Sequence, residues 1–332
     1  MTAMTILNPA RLRIFTSAAM SAALCLTTAG PVFAQISTDV TPDEIIEEAP
    51  VNVWRPIPAD QLLVMKLAPD ANGANRDIII QLVPQPYSAG WVRNIRKLAH
   101  AHWWDGTSVN RVVDNWVTQW GDASEAKPLP ATLETVPESD YAAMLKASDE
   151  PNAPANCTDS SPQAMCDNYA PVAQIIDGWP LASDGTTRWP VHCYASVGVG
   201  RENLPDTGSG AELYAAIGHA PRQLDRNTAV VGRVIEGIEY LSALPRGTGE
   251  MGFYAEGQNK VPIVSIRLAS DLPATEQPHF EYMASDSDNF ARYYASRANR
   301  KDSFYRASAG GVDVCNVKVP IRHAPPSGAG KK

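Results

Sequence analysis

The chain has 332 residues, 44% of them apolar and 19% charged, with 27 prolines spread along its length. That composition is globular and excludes collagen-like, low-complexity and disordered classes. A net charge of −8 removes the broad basic face of a nucleic-acid binder, so no nucleic-acid partner is expected.

The N-terminal segment has the pattern of an export signal. Arg11 and Arg13 form a basic start, and 14–26 is a short alanine-rich apolar run. Val32-Phe33-Ala34 places small residues where signal peptidase reads, so 1–34 is expected to be removed after Ala34. The run is too short to cross a bilayer comfortably, and no membrane span is expected. Cys25 follows Leu24, where a lipoprotein signal needs a small residue, which argues against a lipid anchor. The expected location is periplasmic, with outer-membrane association or secretion as alternatives.

Loss of the signal leaves Cys157, Cys166, Cys193 and Cys315. An even count in an exported chain points to disulfides, with three pairings open. The short polar loop from Cys157 to Cys166 favours that pair. Cys193 would then join Cys315 and pin the C-terminal tail to the body of the protein. No CxxC spacing supports zinc, and neither metal nor cofactor is expected.

In chain order, 35–53 is an acidic leader expected to be mobile. A main domain is expected over 54–272, and 273–332 forms a C-terminal extension. Residues 62–67 alternate as a strand, Asn72-Gly73 is a turn signal, and 77–83 is a second strand rich in β-branched residues. Ser88 is placed to cap a helix in which Trp91, Val92, Ile95, Leu98 and Ala99 share a face. Residues 108–122 (SVNRVVDNWVTQWGD) form two strand segments joined at Asp114-Asn115. An Arg and a Gln, Arg111 and Gln119, stand among apolar neighbours there. Residues 123–190 have loop texture and are taken as a surface insertion, with a short helix over 138–147. Strands follow over 191–199, 211–217, 228–235 and 261–268, with a helix at 236–244. The tail carries a helix over 288–299 and a strand-like piece at 312–321, and 327–332 is expected to be disordered. The pattern is mainly β. It fits a closed eight-stranded barrel capped by two α-helices, with a long loop insertion and a C-terminal tail.

Three blocks resemble the cyclophilin-type peptidyl-prolyl cis-trans isomerases, in that family's order. DGTSVNRVVDNWVTQWGD is similar to its strand-turn-strand, matching at Arg111, Gln119, Gly121 and Asp122. GVGRENLPDTGSGAELYAAIG resembles its glycine-rich loop and following strand. LDRNTAVVGRVIEGIEYLSAL resembles its next strand and helix. Together they span roughly 60–269, and the run 218–234 resembles exported bacterial members.

The resemblance implies catalysis without nucleophile or metal. Rotation about a peptide bond faces a barrier of roughly 18–20 kcal/mol from C–N double-bond character. The twisted prolyl nitrogen regains its lone pair, and a donor aimed there stabilises the transition state more than the ground state. By resemblance Arg111 takes that role, and Gln119 holds substrate backbone or orients the arginine. An arginine keeps its charge, so activity should depend little on pH through this group. The pocket implied around it consists of Trp116, Val117, Glu212, Leu213, Tyr214, Leu224, Thr228 and Val231. It departs from the family pattern: Glu212 stands for a Gln, Tyr214 for a Phe, Thr228 for a His and Val231 for a Phe. Glu212 is expected to face Arg111 and pair with it.

Other motifs carry less. His100 and His102 point apart on a helix and cannot share a metal. His192 and His219 have no spaced partner. Ser209 lacks a nucleophile elbow. The expected partners are proline-containing peptides or unfolded exported proteins, met by a monomer. The two functional readings are an exported prolyl isomerase and a peptide-binding or chaperone module with little catalysis.

Overall fold

The computed structural model describes residues 40–122, 124, 126–146 and 154–325. The expected signal segment 1–34 and the last residues, 327–332, lie outside them. In chain order the elements are α1 (Pro42–Glu47), β1 (Trp54–Ile57), β2 (Leu62–Leu67), β3 (Arg76–Leu82), α2 (Ala89–His100), β4 (Ser108–Val112) and β5 (Val117–Gly121). Then come β6 (Ala143–Met144), β7 (Val172–Ile176), β8 (Trp179–Ser183), β9 (Thr187–Pro190), β10 (Ser196–Val199), β11 (Leu213–Ala216) and β12 (Val230–Glu236). The chain continues through α3 (Ile238–Ser242), β13 (Val261–Leu268), β14 (Phe280–Met283), α4 (Asp288–Ala298) and β15 (Ile321–His323).

Eight strands close a barrel in the order β10-β11-β5-β4-β13-β2-β3-β12. Neighbours run antiparallel, so alternate side chains point inward. Val109, Val112, Trp120, Val197, Val199, Leu213 and Val231 all belong to the fully buried core. The two helices expected to cap the barrel do so. α2 buries Trp91, Ile95, Leu98 and Ala99 against the core, at the spacing its sequence shows. α3 buries Leu241, whose carbonyl accepts from the Thr118 hydroxyl at 3.0 Å. Ser88 occupies the N-cap position of α2 with φ 46°, and its side chain makes no cap bond.

The segments outside the barrel are more ordered than their sequence suggests. The leader forms α1, closed by a capping box between Thr41 and Glu44 with Pro42 in the first turn. The Pro-rich approach forms β1, which pairs with β14 from the tail; β15 adds to the far side of β14. Within the insertion, β6, β9, β8 and β7 make a four-stranded sheet. The helix expected at 138–147 is a single 3-10 turn, Glu138–Tyr141, followed by β6. The strand expected over 191–199 is confined to β10, and the piece expected at 312–321 pairs only as β15. Leader, insertion and tail share a second core containing Ile45, Trp54, Met165, Trp189, Phe290 and Tyr293. Two disulfides, Cys157–Cys166 and Cys193–Cys315, follow the expected pairing.

Candidate active site

The candidate residues gather on the outer face of β4, β5, β11 and β10. Register places Arg111 opposite Gln119, Gln119 opposite Tyr214, and Tyr214 opposite Gly198. One row of positions therefore crosses four strands, with side chains at Arg111, Gln119 and Tyr214. A bulge between Val109 and Arg111 turns β4 locally and sets the arginine on this face.

Arg111 is half-buried and held at two points. Its Nε donates to the Met251 carbonyl at 2.8 Å, and Nη1 donates to Gln119 Oε1 at 3.1 Å. The Phe253 ring lies 5.5 Å from the guanidinium carbon. Nη2 has no protein acceptor among the described residues. Burial lowers the proton affinity of the guanidinium, and it remains a cation at neutral pH. The brace comes from the segment after α3, where Met251 takes a left-handed φ of 53° and Gly252 a φ of 82°. A Cβ at Gly252 would meet Val113 Cγ2 at 2.5 Å, so the segment comes this close to β4 only as glycine.

Glu212 does not pair with Arg111. Its carboxyl lies over Gly121, where a Cβ would come within 2.0 Å of Oε1. There the Asp122 backbone and the Gln119 and Asn110 side chains face it and favour its charged form. Burial outweighs them and pushes it up to about 7. Gln119 thus stands between acid and arginine. Beside them opens a groove of about 410 Å³, lined among others by Trp103, Gln119, Lys127, Arg201 and Glu212.

Tyr214 crosses the face beyond Gln119. A Cβ at its neighbour Gly198 would lie 2.3 Å from the ring, so glycine there makes room for the tyrosine. Its hydroxyl meets Thr228 Oγ1 at 2.5 Å and His192 Nε2 at 2.8 Å. His192 Nδ1 meets Asp225 Oδ1 at 3.0 Å. Asp225 accepts from Arg222 Nε at 2.7 Å, and Arg222 clasps Asp167 of the insertion through both Nη atoms. Burial works against charge on Asp225, but the His192 hydrogen bond and Arg222 outweigh it and hold the carboxyl below its ordinary value. Against Asp225, Nδ1 carries the proton, so Nε2 accepts from the tyrosine.

The remaining candidates separate. Val117 is buried, and Trp116 is 36% exposed at the turn. Leu224 and Thr228 are half-buried. Leu213 and Val231 sit 1% and 0% exposed inside the barrel, so they back the face and do not line it. Sequence reasoning missed His192 and the Met251–Phe253 brace. Thr228 holds the position of a family histidine, and His192 brings an imidazole within 3.2 Å of it from another strand approach. His100 pairs with Asp271 at 2.8 Å, away from His102. Among the described residues no group of three or more His, Cys, Asp or Glu could hold a metal, and no helix is long and apolar enough to cross a membrane.

Residues 71–268 match the family model described as cyclophilin type peptidyl-prolyl cis-trans isomerase. The chain belongs to the cyclophilins. No curated protein matches it in sequence. Among solved structures, cyclophilin AquaCyp293 from Hirschia baltica is similar at TM-score 0.60 and 19% identity, over 86% of this chain and 99% of that one. A cyclophilin-type isomerase from Cryptosporidium parvum aligns at TM-score 0.37 and 11% identity, over 63% and 96% of the two chains. The first covers most of this cyclophilin, including much of what lies outside the matched 71–268, at the level of fold.

Proposed function

We propose that this cyclophilin isomerises X-Pro bonds in exported proteins, with Arg111 stabilising the twisted prolyl amide. The observation that carries the reading is the fixed guanidinium. Two acceptors, Met251 and Gln119, hold it, while Nη2 has no protein acceptor among the described residues. A donor set in advance loses little entropy when the amide twists, so its hydrogen bond acts mainly on the transition state. Gln119 and the groove beside it would take the backbone ahead of the proline. The export pattern of 1–34 and the disulfides support a periplasmic site of action, where folding chains present slow X-Pro bonds. The test is a cis-to-trans exchange assay on an X-Pro peptide, with wild type and Arg111→Ala compared. Acceleration by the wild type, lost in the variant, supports the reading; no acceleration at micromolar protein overturns it.

A second reading, a peptide-binding or chaperone module with little catalysis, is favoured by Tyr214. Where the family carries an apolar ring, its hydroxyl is tied to His192 and Thr228. That reading expects suppression of client aggregation that survives Arg111→Ala.

A further inference from the structure

A cavity of about 350 Å³ lies where β8 and β12 meet the 314–321 stretch of the C-terminal extension. Its volume is in the range of small-molecule sites. The walls are largely apolar, with Val191, Val314, Val317, Val319 and Ile321 among them. The charged residues lining it are Arg233 and Lys318, and no acid does so. In a chain of net charge −8, an apolar cavity with cations and no acid is an unusual local balance.

Arg233 is the telling group. Its Nε and Nη2 both donate to Gln81 Oε1, at 3.0 and 2.8 Å, and Nη1 donates to the Gly178 carbonyl at 2.7 Å. The guanidinium lies 4.3 Å from the centre of the Trp179 ring. Every one of these partners is neutral, and burial pushes the guanidinium down to about 9 with no carboxylate to counter it. A guanidinium has five N–H donors. Three are used, which leaves one on each Nη without an acceptor among the described residues. N–H groups of a guanidinium are donors suited to a carboxylate. Tethering the β8 turn to the barrel accounts for the three bonds made. It does not account for the acid-free cavity or for the unused donors.

We propose that this cavity binds a small apolar monocarboxylate, its carboxylate on the unused Arg233 donors, Lys318 at the rim, and its hydrocarbon body against the valines of the extension. An inorganic anion would leave the apolar walls unused, and a neutral hydrocarbon would leave the charge unpaired. A free medium-chain acid and the C-terminus of an apolar peptide both carry this chemistry. The site is separate from the prolyl face and stands whether or not Arg111 is catalytic.

The test is isothermal titration of the full mature chain with octanoate, with 1-octanol, and with N-acetyl-Val-Val-Leu as acid and as amide. At least one acid is expected to bind saturably at one per chain, about tenfold or more tighter than its neutral counterpart. Octanoate alone identifies a free acid as the ligand, and the tripeptide acid alone a peptide terminus. Arg233→Met is expected to abolish the preference for acid over neutral probe. Where Arg233→Met does not fold, Lys318→Glu at the exposed rim decides, weakening the acid and sparing the neutral probe. No saturable binding of either acid, equal affinity for acid and neutral forms, or an unchanged preference in the folded variant overturns the proposal.

Discussion

The Tyr214 hydroxyl and His192 Nε2 meet at 2.8 Å, joining the outer face of the barrel to the residue that precedes Cys193. The tyrosine ring cannot turn without giving up the shorter of the two hydroxyl contacts that His192 Nε2 makes in a fully buried place. The identity of one wall of the proposed prolyl pocket is therefore held by a residue from outside the pocket's own strands.

Replacing His192 by Ala should cost on the order of 1–3 kcal/mol, because Tyr214, Thr228 and Asp225 lose a shared buried partner. KM for the peptide should rise more than kcat falls, since the wall is disturbed and Arg111 is not. Urea titration and steady-state kinetics check the two parts.

Arg111→Ala should lower kcat/KM by roughly 100- to 1,000-fold while leaving the thermal midpoint nearly unchanged, because the side chain is half-buried and its partners are a carbonyl and an amide. Arg111→Lys should recover little, since a point charge cannot hold Met251 and Gln119 together and still face substrate. The peptide exchange assay beside a melting curve checks both.

Glu212 makes a pH-dependent prediction. Its folded value of about 7 lies above the ordinary 4.5, so between those values the folded state holds a proton that the unfolded state has lost. Stability must therefore fall as pH rises from about 4.5 to about 7 and then level off, by on the order of 3 kcal/mol through this group. Glu212→Gln should be more stable than wild type at pH 8 and about equal at pH 5. Ionised Glu212 should draw the Gln119 amide nitrogen toward itself and so steady Oε1 on Arg111. Wild-type activity should thus rise through pH 7, and that rise should vanish in Glu212→Gln. Denaturant titrations and rates at several pH values test this.

Cys193 and Cys315 lie 122 residues apart, so in the chain-entropy account their bond constrains the unfolded state by about 4–5 kcal/mol. Cys315→Ser should destabilise more than Cys157→Ser, whose loop spans 9 residues. It should also raise KM, because His192 loses its anchored neighbour. Melting curves and kinetics of the two variants measure the difference.

The barrel was legible because its strands alternate and its turns carry Asn-Gly and Asp-Asn signals, and because Arg111 and Gln119 stand out among apolar neighbours. Less legible was the layer around it. β8 and β9 carry Pro180 and Pro190 and few β-branched residues, so local pattern understates them; pairing and burial of Trp179 and Trp189 make them strands. His192 gave no local sign, since its partners Asp225 and Tyr214 lie 33 and 22 residues away. Glu212 was placed near Arg111 by position in the motif, yet the open space over Gly121 draws it aside.

The pairing of β1 with β14 sets an order of assembly. Trp54 lies against Met283, and Phe280 against His323, so a strand that emerges early waits for partners made last. The eight barrel strands finish at Leu268. The barrel can therefore close while its N-terminal strand still lacks a sheet. Until the tail arrives Trp54 and Ile57 lack their β14 partners, a span in which a truncated chain would leave that strand edge open and associate with its copies.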